Sequence, residues 1–241
     1  MTRNAVVTGG GTGIGRAIAA ALAADGLDVV ITGRRAEVLA ETAAALGPRV
    51  RPVVLDVTDP DRIEAALPDL PATVDVLVNN AGGNTDTGRP APDGLAAVRA
   101  AWLANLETNL VGAVLVTTAL EPRLARDGRV ISIGSIAGGR GGGSYGAAKA
   151  GMRVWNAELA VRLGERGITA NVIAPGLIED TEFFGDQLTD ERRAMLVGQT
   201  ATKRAGTPED AAALASFLAS PGAGHLTGQV VHLNGGAYIG A

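Results

Sequence analysis

The stretch Thr8-Gly9-Gly10-Gly11-Thr12-Gly13-Ile14-Gly15 decides the fold, because it joins a short apolar run to the first alanine-rich segment. Ala5-Val6-Val7 precedes this stretch, and residues 14–24 continue it with helical spacing. Glycine allows a sharp turn and a close approach of the backbone to a ligand. The free N–H groups and the dipole of a helix that begins here favour a pyrophosphate. Tight turns without a ligand also use glycine, but the strand–turn–helix context favours a phosphate-binding turn.

Outward from this turn, β-branched apolar runs alternate with alanine- and leucine-rich stretches of helical spacing. The predicted strands are residues 5–8, 29–32, 53–55, 74–78, 130–133, 170–174 and 230–233, and the predicted helices are 14–24, 37–46, 102–120, 147–163 and 208–218. Continuous apolar runs are typical of strands covered on both faces, and the alternation implies right-handed crossovers. The chain is therefore predicted to be α/β: a Rossmann-like, doubly wound, seven-stranded parallel sheet with helices on both faces, in a single domain over residues 1–241.

Two connections are long, residues 83–129 and 177–207, and long connections in such folds usually carry function. The second contains Phe183-Phe184 among acidic residues, and its Thr189-Asp190-Glu191-Arg192 has a helix-capping pattern. We predict a flexible substrate loop at about 177–207 that includes a small helix. An ordinary surface insertion is the alternative interpretation.

Composition excludes several classes of function. The 241 residues are 46% hydrophobic with a net charge of −4, which favours one globular domain and argues against a surface for nucleic acid. Cysteine is absent and His225 and His232 are the only histidines, which excludes a thiolate nucleophile, a disulfide and a histidine-rich metal site. The sequence has no continuous apolar run of membrane-spanning length, so we expect a cytoplasmic protein without membrane or metal partners.

Tyr145 and Lys149 are four residues apart in an alanine-rich helix, which places both side chains on one face. A free tyrosine has a pKa of about 10, too high for easy proton exchange at neutral pH. A nearby ammonium group, helped by an oxidised nicotinamide ring, would stabilise the phenolate and lower that pKa. The pair indicates acid–base catalysis, although an isolated pair of this spacing is more often a surface lysine and an interface tyrosine.

The motifs and their order resemble the short-chain dehydrogenase/reductase family over nearly the whole chain. The turn has the form Thr-Gly-x-x-x-Gly-x-Gly, and the further matches are Asn79-Asn80-Ala81-Gly82, Asn109, Ser135, Tyr145-x-x-x-Lys149 and Pro175-Gly176. Within the family the chain is most like the 3-oxoacyl-acyl-carrier-protein reductases, through Gly134-Ser135-Ile136-Ala137-Gly138, Tyr145-Gly146-Ala147-Ala148-Lys149 and Ala174-Pro175-Gly176. Any one of these motifs arises easily by chance, so the specificity of the resemblance comes from their common order.

The resemblance implies a catalytic set of Asn109, Ser135, Tyr145 and Lys149. Tyr145 would donate the proton in a reduction, and Lys149 would tune its pKa and hold the nicotinamide ribose. Asn109 would hold a water that links Lys149 to solvent, and an asparagine that satisfies a neighbouring backbone group at a helix distortion is the compatible structural alternative.

Ser135 would hydrogen-bond the substrate oxygen and orient the carbonyl. It lies 10 residues before Tyr145, whereas Ser132 lies at the commoner family spacing of 13. We favour Ser135 because Ile136-Ala137-Gly138 follows it, as in the family, and because it falls at the carboxyl end of its strand.

The implied cofactor is NADP(H). The second strand is followed by Gly33-Arg34-Arg35 with no acid to hold two ribose hydroxyls, and Arg34 would pair with a 2′-phosphate. A solvated arginine pair is the alternative, and Thr12 stands where many NADP-using relatives have a basic residue. The other cofactor-binding residues implied, besides Tyr145 and Lys149, are Gly9, Gly11, Thr12, Gly13, Ile14 and Gly15 in the turn, Asp56 and Val57 as an adenine clamp, Asn80, Ala81 and Gly82, and Pro175, Gly176 and Ile178 beside the nicotinamide. Asp56 would equally serve as a turn residue before the next helix.

The resemblance implies an NADPH-dependent carbonyl reductase, specifically a 3-oxoacyl-acyl-carrier-protein reductase of fatty acid or polyketide biosynthesis. A dehydrogenase of another secondary alcohol, such as a sugar, steroid or small molecule, and a non-catalytic nucleotide sensor are the alternatives. The substrate would be a small molecule or an acyl thioester. An acidic acyl carrier protein would need basic residues, and the resemblance places Arg126 and Arg166 near the flanks of the active-site entrance. Solvated surface arginines are the favoured alternative. The family also implies a homotetramer formed through the helices at 102–120 and 147–163 and the last strand.

Overall fold

A computed structural model describes residues 2–183 and 188–240 of the chain. Residue 1, residues 184–187 and residue 241 lie outside the described residues, so Phe184 and part of the predicted substrate loop are not described. The strands are β1 (Asn4–Thr8), β2 (Asp28–Gly33), β3 (Val50–Val54), β4 (Val74–Asn79), β5 (Leu124–Ile133), β6 (Thr169–Pro175) and β7 (Val230–Leu233). They form one sheet in the order β3-β2-β1-β4-β5-β6-β7, in which every neighbouring pair is parallel. The predicted seven-stranded parallel sheet is confirmed.

The strand order places a crevice at the centre of the sheet. β1 and β4 are neighbours, although the chain passes through β2 and β3 between them. The connections after β1 and β4 therefore run to opposite sides, and ligands of open α/β sheets bind at the carboxyl ends of the strands at such a point. The glycine turn at residues 9–15 follows β1, and Asn80-Ala81-Gly82 follows β4. The fold thus brings together two of the motifs that the sequence singled out.

Helices cover both faces of the sheet, as predicted. They are α1 (Gly13–Ala24), α2 (Ala36–Leu46), α3 (Pro60–Ala66), α4 (Gly94–Leu106), α5 (Gly112–Leu120), α6 (Ala137–Arg140), α7 (Gly143–Gly164), α8 (Asp190–Gly198) and α9 (Pro208–Ala219). Leu22 and Leu218 join the core on the face of α1 and α9, and Leu120 and Leu159 join it on the face of α5 and α7. Burial of one such side chain stabilises the fold by about 2 kcal/mol.

Local signals start several helices where the sequence indicates. Asp59 accepts a hydrogen bond from the backbone N–H of Arg62 at the start of α3, and Pro60 fits the first helical position. Thr189 caps α8 in the same way, which confirms a small helix in the loop predicted at 177–207. Thr207 begins α9 with a reciprocal capping box.

The long central helix begins earlier than predicted. We expected it to span residues 102–120, but α4 begins at Gly94 and continues into α5 through a wider turn at Glu107–Val111. The early part was missed because its apolar residues do not face the core: Leu95 is 89% exposed.

The stretch Gly94–Arg123 is long and apolar enough to cross a membrane by length and composition alone. Helices of soluble proteins pass the same test, and Leu120 is packed inside this fold, so this is weak evidence for a span.

Candidate active site

A cleft of about 760 Å³ opens at the carboxyl edge of the sheet. Every predicted site residue except Asn109 lines it; the lining includes Gly9, Gly11, Thr12, Gly13, Ile14, Gly15, Arg34, Asp56, Val57, Asn80, Ala81, Gly82, Ser135, Tyr145, Lys149, Pro175, Gly176 and Ile178. These residues come from the ends of six strands, β1 to β6, so only the parallel sheet brings them together. Their individual roles stay predictions.

The glycine turn is held by the segment that follows β4. The Asn80 side chain donates to the carbonyls of Thr8 and Gly9, each at 3.0 Å, and the Thr8 hydroxyl accepts from the backbone N–H groups of Asn80 and Ala81. A methyl group on Gly15 would lie 2.2 Å from the Gly9 carbonyl oxygen. Gly15 is therefore required by packing of α1 against the turn, and Asn80 contributes by fixing the turn from behind.

The amino terminus of α1 has the properties of an anion site. Thr12 precedes the helix without capping it through its side chain, and the first turn holds no acidic residue. The first N–H groups of a helix have no partner within it, so they and the helix dipole are available to an anion. A pyrophosphate fits this donor set. The residues present thus suit the phosphate portion of a dinucleotide.

Two arginines follow β2, as the sequence indicates, and one of them, Arg35, forms an ion pair with Glu182. Arg34 and Arg35 both line the cleft. Arg35 donates to the Glu182 carboxylate at 2.8 Å, and the Thr12 hydroxyl lies 3.4 Å from the same oxygen. Arg34 is exposed and makes no side-chain hydrogen bond within residues 2–183 and 188–240. Sequence analysis did not single out Glu182, which belongs to the connection after β6.

Asp56 performs the turn role that was left open for it. Its carboxylate accepts hydrogen bonds from the backbone N–H and the hydroxyl of Thr58, at 3.0 and 2.8 Å. The residue also lines the cleft, beside the buried Val57. The predicted adenine clamp and the observed turn therefore use the same residue without conflict.

Tyr145 is buried near the start of α7, where it faces Ser135 and Phe183. Burial raises the pKa of Tyr145 to about 12, opposed by a hydrogen bond with the Ser135 side chain. In the chain by itself the pKa rises because removal of the phenol from water outweighs the Ser135 contact. The lowering expected beside an oxidised nicotinamide stays a prediction. The Tyr145 and Phe183 ring centres lie 5.6 Å apart. Tyr145 is consequently a neutral phenol at neutral pH, the form that a proton donor requires.

Lys149 is buried one helical turn beyond Tyr145. Its ammonium nitrogen donates to the Ile133 carbonyl at 2.8 Å and lies 5.8 Å from the centre of the Tyr145 ring. Burial lowers the pKa of Lys149 to about 8. No carboxylate pairs with this amine in the part of the chain that the structure describes. A buried cation without a counter-ion is costly, which indicates that the site retains it for function.

Asn109 lies at the wide turn of the central helix, behind the cleft. Its side-chain oxygen accepts from the Gly83 N–H at 3.0 Å, and its nitrogen donates to the Gly83 and Asn105 carbonyls at 2.8 and 3.1 Å. The structural alternative predicted for Asn109 is confirmed. A methyl group on Gly82 would lie 2.6 Å from the Asn109 oxygen and 3.5 Å from the Lys149 nitrogen. The predicted water relay between these two side chains stays a prediction.

A buried polar cluster beside Tyr145 was missed by sequence analysis. Asn105 donates to Asp86 at 3.0 Å and to Ser144 at 2.9 Å, and the Ser144 hydroxyl donates to Asp86 at 2.9 Å. The cluster ties the connection after β4 to the residue that precedes Tyr145. Its one sequence signal is the spacing of Asn105 and Asn109, which places two amides on one face of the central helix.

The structure separates the two serines that competed for the substrate role. Ser135 lines the cleft and contacts Tyr145, whereas Ser132 is fully buried within β5.

The structure does not place Arg126 and Arg166 where the resemblance implied. They lie at the amino-terminal ends of β5 and β6, the edge opposite the cleft, and Arg166 donates to the Glu121 and Leu124 carbonyls. The expectation that they flank the entrance of this chain's own site is therefore wrong.

Fold and site together define a class of protein. A parallel sheet with a phosphate-binding turn after β1 offers a nucleotide cleft. A phenol, a hydroxyl and an amine gather in the same cleft at Tyr145, Ser135 and Lys149. This is the arrangement of a dinucleotide-dependent oxidoreductase. No group of ligands that could hold a metal ion occurs in residues 2–183 and 188–240.

Comparison with known proteins identifies the family. Residues 9–238 match the family model described as enoyl-(acyl carrier protein) reductase. The 3-oxoacyl-acyl-carrier-protein reductase FabG of Escherichia coli is 38% identical over 98% of this chain and 97% of its own. Nodulation protein G of a Rhizobium species is 39% identical over 97% of this chain and 96% of its own.

The solved structures agree with these relatives. A short-chain dehydrogenase/reductase from Brucella melitensis, described as a glucose/ribitol dehydrogenase, has a TM-score of 0.87 and 31% identity, and the match covers 99% of this chain and 97% of that one. The chain belongs to the short-chain dehydrogenase/reductase family.

Proposed function

We propose that this protein is an NADPH-dependent reductase of 3-oxoacyl thioesters. The gathering of the Ser135 and Tyr145 hydroxyl groups and the Lys149 amine in one cleft, beside the glycine turn, is the observation that carries the proposal. Two adjoining hydroxyl groups can both donate to one carbonyl oxygen, which suits reduction of a ketone. FabG of Escherichia coli, 38% identical over nearly its whole length, is named for reduction of a 3-oxoacyl group on acyl carrier protein.

When bound, the reduced nicotinamide supplies the hydride for the carbonyl carbon. Ser135 orients the carbonyl, and Tyr145 donates its phenolic proton to the oxygen, so that a secondary alcohol forms. The high pKa of Tyr145 keeps that proton in place until charge develops on the substrate. Lys149 stabilises the resulting phenolate and holds the nicotinamide ribose. The Asn109 oxygen and the Lys149 nitrogen both lie beside Gly82, where a water between them would return a proton to Lys149.

The choice of NADPH is supported by the end of β2. Arg34 and Arg35 line the cleft, and no acid at the carboxyl end of β2 competes with a 2′-phosphate. Asp56 and Val57 would border the adenine, and Pro175, Gly176 and Ile178 the nicotinamide. Gly9 to Gly15 would hold the pyrophosphate at the start of α1.

The assembly is proposed to be a homotetramer in the cytoplasm. Trp102, Val154 and Val161 are exposed by 45%, 76% and 82% on the central helix and α7. Apolar side chains of this size on two neighbouring helices are typical of a surface that another subunit covers. The substrate partner would be an acyl carrier protein, docking on the assembled protein. Sedimentation of a purely monomeric species would contradict this part of the proposal.

A second candidate is a dehydrogenase of another secondary alcohol. The Brucella melitensis structure, described as a glucose/ribitol dehydrogenase, matches the fold over nearly the whole chain. The same residues would then work in reverse. A non-catalytic nucleotide sensor is disfavoured, because Asn109, Ser135, Tyr145 and Lys149 are all present.

A substrate panel distinguishes these functions. Initial rates of NADPH and NADH oxidation are measured with a 3-oxobutanoyl and a 2-butenoyl thioester of coenzyme A as substrates. Initial rates of NADP⁺ and NAD⁺ reduction are measured with sugar alcohols as substrates. We expect the highest kcat/KM for the 3-oxobutanoyl thioester with NADPH. A higher kcat/KM on the butenoyl thioester would instead support the enoyl reductase of the family-model description. A higher value on a sugar alcohol would support the dehydrogenase, and no turnover despite nucleotide binding would support the sensor.

A further inference from the structure

Three consecutive residues of the connection after β6 lie along the cofactor cleft. Thr181 packs on the glycine turn, where a methyl group on Gly13 would lie 3.3 Å from it. Glu182 reaches Arg35 and Thr12, and Phe183 contacts the Tyr145 ring. The segment therefore touches the phosphate turn, the end of β2 and the proton donor in turn.

Glu182 occupies a chemically sensitive position within this segment. A dinucleotide whose pyrophosphate lies on α1 places its adenosine ribose beside the end of β2. In this fold, an acid at that place selects for free ribose hydroxyls, whereas an arginine accepts a 2′-phosphate. Two arginines follow β2 in this chain, but Glu182, which lies about 150 residues later in the sequence, brings an acid to the same place.

We propose that Glu182 sets the discrimination between NADPH and NADH in this protein. Its carboxylate holds Arg35, so a 2′-phosphate must displace it from that guanidinium and then remain near a like charge. A ribose with two free hydroxyls neither displaces the Glu182 carboxylate from Arg35 nor brings a second negative charge close to it. The carboxylate can instead accept hydrogen bonds from the two hydroxyls. Arg34, which makes no side-chain hydrogen bond among the described residues, remains available to either nucleotide. The inference rests on the proposed function in one respect, that the cleft binds a nicotinamide dinucleotide.

The expected size of the effect follows from charge. The Glu182 side chain is 63% exposed and that of Arg35 56%, so water and salt screen the interaction. A phosphate dianion about 5 Å from an exposed carboxylate is disfavoured roughly five- to fifteenfold, with the lower value at physiological salt. Loss of this charge should strengthen NADPH binding by that factor and leave NADH binding nearly unchanged.

Nucleotide binding tests the inference without reference to turnover. Dissociation constants of NADPH and NADH are measured by nucleotide fluorescence for the unmodified protein and for Glu182→Gln. Glu179→Gln is the matched control, because it removes a carboxylate from the same connection that pairs with Arg193 and does not line the cleft. Each protein is measured at low and at high salt.

We expect Glu182→Gln to raise the preference for NADPH over NADH about five- to fifteenfold at low salt and less at high salt, with no change in Glu179→Gln. A change of less than about twofold in that ratio, or an equal gain for both nucleotides, would overturn the inference and leave the proposed function intact. If the unmodified protein bound neither nucleotide, the proposed function would fail as well.

Discussion

Lys149→Met should stabilise the fold while removing function, because Lys149 is a buried cation without a counter-ion. The lowering of its pKa from 10.5 to about 8 corresponds to roughly 3 kcal/mol at pH 7. Loss of the hydrogen bond to the Ile133 carbonyl returns about 1 kcal/mol of that gain. Methionine has a similar length and adapts to the same space. We therefore expect a free energy of unfolding about 2 kcal/mol higher at pH 7 than in the unmodified protein.

The gain should depend on pH in a defined direction. Between pH 8 and 10.5 the unfolded chain keeps a proton on Lys149 that the folded chain has lost, so the stability of the unmodified protein rises with pH across this window. Below pH 8 the full cost of the buried charge is present, and above 10.5 it has disappeared. The advantage of the variant should therefore shrink as the pH rises through this window.

Urea unfolding at pH 7 and pH 10 measures this difference. Lys203→Met is the control, since Lys203 is the chain's other lysine and is exposed, with its amine on the Gly198 carbonyl. Its effect should be small and the same at both pH values. A Lys149→Met variant less stable than the unmodified protein at pH 7, or an advantage that does not change with pH, would refute the account of Lys149.

Two further variants test the surroundings of the site. Gly82→Ala should lower the rate of ketone reduction by about tenfold or more, because the new methyl group would lie 2.6 Å from the Asn109 oxygen and displace it. An unchanged rate would show that the contact between Gly82 and Asn109 does not affect reduction. Asn105→Ala should lower the free energy of unfolding by about 2 kcal/mol, because the buried Ser144 and the half-buried Asp86 lose a donor. A loss below about 0.5 kcal/mol in urea unfolding would contradict the structural role of the cluster.

The sheet and the cleft could be predicted because their signals are local. The apolar run before Thr8 and the glycines after it identify a strand and a turn within a dozen residues, and the parallel topology then brings the strand ends together. Ser135 was chosen over Ser132 for its place at a strand end, and the structure puts it in the cleft. The long helix shows the limit: its exposed apolar start at Gly94 has no inward face to reveal it.

Other features depend on distance and burial, which spacing does not give. Glu182 reaches Arg35 only because a long connection returns over the cleft. The four-residue spacing of Tyr145 and Lys149 places both on one face, but it does not show that both are buried. In the chain by itself, burial raises the pKa of Tyr145 and lowers that of Lys149. Arg166 was assigned to the site by family likeness alone, and the topology places it at the other edge.

The most direct test of the central claim is a comparison of Tyr145→Phe with the unmodified protein in NADPH binding and in single-turnover reduction of a 3-oxobutanoyl thioester. The account predicts NADPH affinity within about twofold, because phenylalanine keeps the ring, and reduction slowed by roughly 10²- to 10⁴-fold, because the proton donor is gone. Retention of more than about a tenth of the rate, with NADPH bound, would contradict the assignment of Tyr145 as the donor.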